Sequence, residues 1–173
     1  GAYLYTNKVL KEVIAQDNSK ERFQHLINRI ETSAEKGYSS FQENENKLIG
    51  QPILKMSNLS QKLLKNVKYS SVVLKRQNNF KYLDDALGDL NSFEVRYSNG
   101  CTPMVYPFYS KDSKLRSKLI ENRIYCPTYW NCIQDFAPKT SIAFDFMKNL
   151  IHLPIDQRLS KKELDYIVKT ILS

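Results

Sequence analysis

The chain has 173 residues, 42% of them hydrophobic and 25% charged, enough apolar side chain for a real core in one domain, or in a small domain with an appendage. Its formal net charge of +8 suits anionic partners such as nucleic acid, acidic lipid or phosphorylated small molecules, but the lysines are spread along helical stretches, as on a solvated basic surface. No apolar run is long enough for a membrane-spanning helix and no leader-peptide pattern is present, and three cysteines, Cys101, Cys126 and Cys132, with no Cys-x-x-Cys pair, argue against a disulfide framework or zinc site and for reduced thiols in a cytoplasmic setting.

In chain order, residues 1–5 are aromatic and apolar, like a strand or loop edge. Residues 7–15 carry Val9, Leu10, Val13 and Ile14 at helical spacing, and Asp17, Asn18 and Ser19 form a turn and cap cluster. A second helix is predicted over 19–36, with Phe23, Leu26, Ile27 and Ile30 on one face and Gly37 as its C-terminal cap. Residues 38–49 are polar, with Phe41 and Leu48 as anchors, and read as a weak surface helix before the break Gly50-Gln51-Pro52.

Residues 56–90 hold the longest periodic pattern. Ser57 or Asn58 can cap its start. Leu59, Leu63 and Val67, then Val73, Phe80, Leu83, Leu87 and Leu90, recur on one helical face. A single helix of that length would span on the order of 45 Å, more than a small domain, so a bent or two-part helix is expected. The weak point is 66–71, where helix propensity falls and the apolar phase slips.

The period then changes. Phe93, Val95 and Tyr97 alternate with Glu94 and Arg96, and Asn99-Gly100 is a strong hairpin signal because a type I′ turn needs positive φ at both positions. Residues 102–109 read as the return strand, 111–122 as a helix with Leu115, Leu119 and Ile120 inward, 123–129 as a short strand, and 131–138 as a loop. A short helix over 140–149 and a strand over 150–155 follow. Ser160 and Glu163 then form a capping box opening the last helix, whose stripe is Leu164, Ile167, Val168, Ile171 and Leu172. The expected class is α+β: a helical N-terminal segment and a long interdomain-type helix, followed by a small antiparallel or mixed sheet with helices on one face.

Chemistry-bearing residues are sparse. His25 and His152 have no second ligand at metal spacing, and no nucleophile elbow or phosphate loop is present. Asp84, Asp85 and Asp89 cluster on the long helix, where solvated charge is the ordinary role. Tyr106, Phe108, Tyr109, Tyr125, Tyr129 and Trp130, near Lys111, Arg116 and Arg123, suit either base stacking or an aromatic sheet face packed under helices. Arg158, just past a strand end, has the fork to grip a carboxylate, or is a surface arginine. No complete catalytic set is visible.

Four stretches carry a resemblance. Lys55-Met56-Ser57-Asn58-Leu59-Ser60 is similar to the Arg-Met-Ser/Thr segment opening the interdomain helix of the DegT-type, fold-type-I pyridoxal-phosphate sugar aminotransferases. Arg76-Gln77-Asn78-Asn79-Phe80, with Leu83, resembles that family's Arg-x-x-Asn-Tyr/Phe-x-x-Leu. The stretch from Val105 through Ile124-Tyr125-Cys126-Pro127-Thr128-Tyr129-Trp130 resembles its Tyr/Phe-Pro strand, Leu-Arg-x-x-Leu helix and Gly-Ile strand. Leu150-Ile151-His152-Leu153-Pro154-Ile155 resembles its Leu-Ser-Leu-Pro ending. The four run in the family's order over about residues 50–173. The departures are Ile53 where the family often has Asn, Lys55 for Arg, and the Tyr129-Trp130 region where the family has His.

The resemblance implies that residues 51–173 form the small C-terminal domain of such an enzyme and residues 1–50 a helical remnant or linker of its cofactor domain. Gly1-Ala2-Tyr3-Leu4-Tyr5 resembles sequence that follows the cofactor lysine in some members, which would place the Schiff-base lysine, the cofactor's acidic partner and its stacking ring upstream. Pyridoxal phosphate would then belong to the parent protein. This chain alone would hold no cofactor and have no catalytic, cofactor-binding or metal residues, and its partners would be that cofactor domain and, as a homodimer, a second copy. Trp130 and Arg158 are the implied substrate-side residues, for a keto sugar nucleotide. The contrasting expectations are a stand-alone basic, aromatic nucleic-acid-binding module and a non-catalytic interaction domain. An uncovered apolar face on residues 1–50 would favour the aminotransferase reading.

Overall fold

The computed structural model describes residues 5–8, 14–96 and 100–173. The expectations that fall on residues 1–4, on Val9, Leu10 and Val13, and on Tyr97 and Asn99 lie outside these. The chain forms two compact units, Gly1–Val67 and Lys68–Ser173, and the division falls in the weak stretch of the long helical pattern.

The first unit contains α1 (Gln24–Glu31), α2 (Ala34–Leu48) and α3 (Asn58–Lys65). The single helix expected over 19–36 is instead broken at Thr32 and Ser33. Ser33 is extended and its side chain accepts the Lys36 N–H, so a new helix starts three residues before the expected stop. Gly37 is accordingly no cap. It lies inside α2, buried, where α1 comes so close that a Cβ would sit 2.7 Å from the His25 carbonyl oxygen. Gly50, at φ +72°, follows the end of α2. Ile14 and Ala15, expected in a helix, are not helical. The Ala15 carbonyl accepts the Lys55 N–H at 2.8 Å, in a parallel bridge between Gln16 and Lys55. Ser57 caps α3 through the Ser60 N–H and meets Ser19 Oγ at 2.6 Å in a buried contact. Asn66 ends α3, its amide donating to the Lys62 carbonyl.

The second unit runs α4 (Tyr69–Leu87), a 3-10 turn at Gly88–Leu90, β1 (Val105–Tyr109), α5 (Leu115–Glu121), α6 (Ile133–Phe136), α7 (Ile142–Asn149), β2 (Leu150–Pro154) and α8 (Lys161–Leu172). The long pattern is therefore two helices, as its weak point implied. β1 and β2 pair antiparallel, from Val105 opposite Pro154 to Tyr109 opposite Leu150. With helices packed around this small sheet, the class is α+β. The core joins Phe80, Leu83 and Leu87 of α4, Tyr106 and Phe108 of β1, Leu115 and Leu119 of α5, Ile151 and Leu153 of β2, and Leu164 and Ile167 of α8, together with Ile124, Cys126 and Ile155. α8 opens with the expected Ser160–Glu163 capping box.

Among the described residues neither of two predicted strands forms, and side chains do their work. Residues 93–96 pair with nothing in a ladder. Instead Asn91 sits at the outer edge of β1, its amide donating to the Pro107 carbonyl at 2.8 Å and its oxygen accepting the Tyr109 N–H at 3.0 Å. Residues 123–129 form no strand either. Arg116 of α5 spans the gap to β2, donating to the carbonyls of Cys126, Pro127 and Leu150 at 3.3, 3.3 and 3.1 Å. An edge backbone needs its polar groups satisfied, not necessarily by another strand.

Candidate functional site

Two clusters are built on the β1–β2 pair, one at the start of β1 and end of β2, the other beside His152 at the middle of the ladder. The first is built by α4. Asn79, 2% exposed, donates to the carbonyls of Ile155 and Asp156 at 3.2 and 3.0 Å. Arg76, nearly a turn earlier, reaches Gln157 Oε1 at 3.2 Å and the Pro103 and Met104 carbonyls at 3.3 and 3.1 Å, and Gln77 holds the Cys101 carbonyl at 2.9 Å. One helix face thus grips both the chain running into β1 and the turn leaving β2. In that turn Asp156 takes the Arg158 fork, Nε to Oδ1 at 2.8 Å and Nη2 to Oδ2 at 3.1 Å, and also accepts the Arg158 N–H at 3.0 Å. The Arg158 hydrogen bonds hold the Asp156 carboxyl below the usual range, against some desolvation. The fork expected for a ligand carboxylate is therefore filled from within the turn.

The second cluster follows α5. The Ile124 N–H bonds the Leu119 carbonyl and the Arg123 N–H the Ile120 carbonyl, both at 2.8 Å, with Arg123 left-handed at φ +59°. This Schellman closure turns Ile124 and Cys126 into the core. Desolvation pushes the Cys126 thiol up to about 11, so it is an inert buried thiol. Beyond it, the Pro127 carbonyl accepts from His152 Nδ1 at 3.2 Å. The Tyr129 ring lies edge-on to His152 at 4.6 Å and 5.8 Å from Trp130. Trp130 is left-handed, φ +56°, and 69% exposed. Burial is the main cause that lowers the His152 pKa; the Arg116 charge adds to it and the Pro127 bond opposes it. A carbonyl only accepts, so Nδ1 carries the proton of this neutral ring.

Trp130 and Arg158 thus stand in different clusters, Trp130 beside Tyr129 and Arg158 on Asp156. The aromatic row divides. Tyr106 and Phe108 are core residues, Tyr106 edge-on to Phe80 at 5.1 Å with its hydroxyl on Asp84. Tyr109 donates to Asp145 at 2.9 Å. Tyr125 and Trp130 are exposed. Of the acidic cluster, Asp85 pairs with Lys81 at 2.9 Å in an exposed i,i+4 contact. His25 lies against Phe41 in the first unit. Sequence reasoning missed Asn91, Asp156 and the bridging role of Arg116. Only Asp156, two residues before Arg158, left a local signal.

Among the described residues no group of three or more His, Cys, Asp and Glu is placed to hold a metal ion, and no helix is long and apolar enough to cross a membrane. The residues present do not fit pyridoxal phosphate either. Ile53, 86% exposed, has no group to offer a phosphate, and Arg76 Nε and Nη1 are taken up by neutral acceptors of the fold.

No family model and no curated protein matches the chain. Among solved structures, the sugar aminotransferase CalS13 from Micromonospora echinospora is similar at 16% identity and a TM-score of 0.48, over 60% of this chain and 31% of that one. The chain thus spans about a third of that protein's length. A likeness of this strength establishes neither family nor activity.

Proposed function

We propose that this chain is the small-domain part of a DegT-like, pyridoxal-phosphate-dependent sugar aminotransferase, and that it shapes the substrate side of the cleft in a homodimer without being catalytic alone. The observation that carries the reading is how the motif pieces meet. The Arg76–Leu83 piece grips the turn after the Leu150–Ile155 piece through Asn79. The stretch from Val105 pairs with that same strand, and Ile124 closes the shared core. Three of the four sequence pieces, in the family's order, are thus joined by hydrogen bonds and packing within one unit.

The first unit supports the same reading. Within residues 1–50, Leu26, Ile27, Ile30, Tyr38, Phe41, Leu48 and Ile49 are exposed, apolar side chain that a missing domain would cover. In the proposal a cofactor domain covers it. The cofactor, its lysine and its phosphate site belong to that domain. Trp130 and Arg158 are the proposed substrate-side residues, with Arg158 engaging an anion by exchanging Asp156 for it.

The test is to express the uninterrupted native gene and measure the intact mass and visible absorbance of its product. A longer polypeptide with a borohydride-reducible chromophore is expected. A product that binds no pyridoxal phosphate would overturn the proposal.

A further inference from the structure

α3 is laid onto its own unit by its polar side. Ser57, its N-cap, meets Ser19 Oγ at 2.6 Å in a buried contact and donates to Ser60 Oγ at 3.0 Å, and Gln61 donates to the Met56 carbonyl at 2.7 Å. Ser57 is buried, and Ser60, Gln61 and Leu64 are half-buried. The opposite face is apolar. Leu59 and Leu63 are one turn apart on the same side, 43% and 51% exposed, and Val67 follows at the same spacing just past the helix end, 38% exposed. Polar side in and leucines out is the reverse of a helix that packs on a core.

The charge pattern of the same stretch is one-sided. Carboxylates recur up to Glu45, but residues 46–67 contain none, whereas Lys47, Lys55, Lys62 and Lys65 fall there, all exposed. Lys62, three residues on from Leu59, borders the leucine row. Among the described residues neither Lys62 nor Lys65 forms an ion pair. Ile53, just before the helix, is almost bare.

We propose that this face of α3 docks on an acidic phospholipid surface. A helix lying in a bilayer interface needs apolar side chains that enter the acyl boundary and cations that meet the anionic headgroups, and an anionic layer repels carboxylates, of which this stretch has none. The pairing of features selects the occupant. A second protein's apolar face requires no surplus of cations at its rim. A nucleic acid supplies the negative charge but no apolar layer for Leu59 and Leu63 to enter. An acidic leaflet supplies both. The contact is peripheral, carried by a few side chains, and therefore reversible and weakened by salt. The inference goes beyond the aminotransferase reading and does not rest on it, since that reading assigns the cofactor domain to the apolar side chains of residues 1–50.

The test is co-sedimentation of the full chain with vesicles of phosphatidylcholine alone and of phosphatidylcholine mixed with phosphatidylserine, at low and at physiological salt. Binding to the acidic vesicles is expected, weaker at the higher salt, with none to the neutral ones. Lys62→Gln and Lys65→Gln should each weaken it about fivefold, and Leu59→Gln together with Leu63→Gln by about tenfold or more. No binding to acidic vesicles at low salt, or equal binding to neutral ones, would overturn the proposal on the wild-type chain alone. So would a leucine double variant that binds like the wild type, because the general positive charge would then suffice without α3. Self-association that the same double variant abolishes, without vesicle binding, would give the face to a second copy instead. Tighter binding to a single-stranded oligonucleotide than to the acidic vesicles would give the lysines to nucleic acid. A native gene product without pyridoxal phosphate removes the aminotransferase reading and leaves this inference standing.

Discussion

Arg123 and Trp130 occupy left-handed backbone, at φ +59° and +56°, where a Cβ costs about 1–2 kcal/mol. At Arg123 the reason is local, since the Schellman closure of α5 needs that conformation. His152 gives a pH dependence whose sign follows from its burial. Its folded pKa lies below the unfolded value of about 6.5, so the unfolded chain binds more protons as pH falls through 6.5. The stability linked to His152 is thus fully present above that pH and is lost as pH drops toward the folded pKa. Urea melts from pH 8 down to pH 5 should show this slope in the wild type, reduced in His152→Asn. Arg158 illustrates the limit of reading single residues. Its position past a strand end was visible, but its partner Asp156 is set by how the turn folds.

At the scale of elements, the predicted and observed secondary structure part where side chains replace backbone. Alternation over 93–97 and the apolar run over 123–129 are honest strand patterns, and the burial they imply is partly kept, with Ile124 and Cys126 in the core. The ladder partners are an asparagine amide and a guanidinium instead. Arg116→Lys keeps the charge but cannot span three carbonyls, and is expected to cost about 1–3 kcal/mol in denaturant melts. Gly37 was misread for a related reason. A glycine after a periodic stretch signals a helix end, and only the approach of α1 shows that it serves close packing. Gly37→Ala should lower stability despite alanine's better helix propensity, because its Cβ would meet the His25 carbonyl at 2.7 Å. Reduced far-ultraviolet ellipticity and a lower melting temperature would check it.

Across the whole molecule, the two units differ in what they bury. All the buried hydrophobic residues identified lie in Lys68–Ser173. Among the described residues of Gly1–Val67 the buried ones are Ser19, Gly37 and Ser57. Local stability follows buried apolar contact, so amide exchange should be slow in α4, β1, β2 and α8 and fast in α1, α2 and α3. Slow exchange throughout α1 to α3 would show that the exposed apolar face is covered in solution. Within the second unit the Asn79 clamp carries particular weight, since its loss strands two carbonyls. Asn79→Leu is expected to cost about 1–3 kcal/mol, read from its unfolding midpoint.

The amino-acid sequence by itself determined the α+β class, the break in the long helical pattern, a cap at Ser57 or Asn58, the capping box of α8 and strands within 102–109 and 150–155, because periodicity and capping act over one or two turns. It also carried the motif order on which the aminotransferase reading rests. Tertiary structure alone decided which strand patterns become strands, why Gly37 is a glycine, that Asp156 fills the Arg158 fork, and that His152 Nδ1 meets the Pro127 carbonyl. Those outcomes depend on groups far apart in the chain, as Asn79 is from Asp156 and Pro127 from His152, and no local pattern encodes which distant carbonyl a side chain will find.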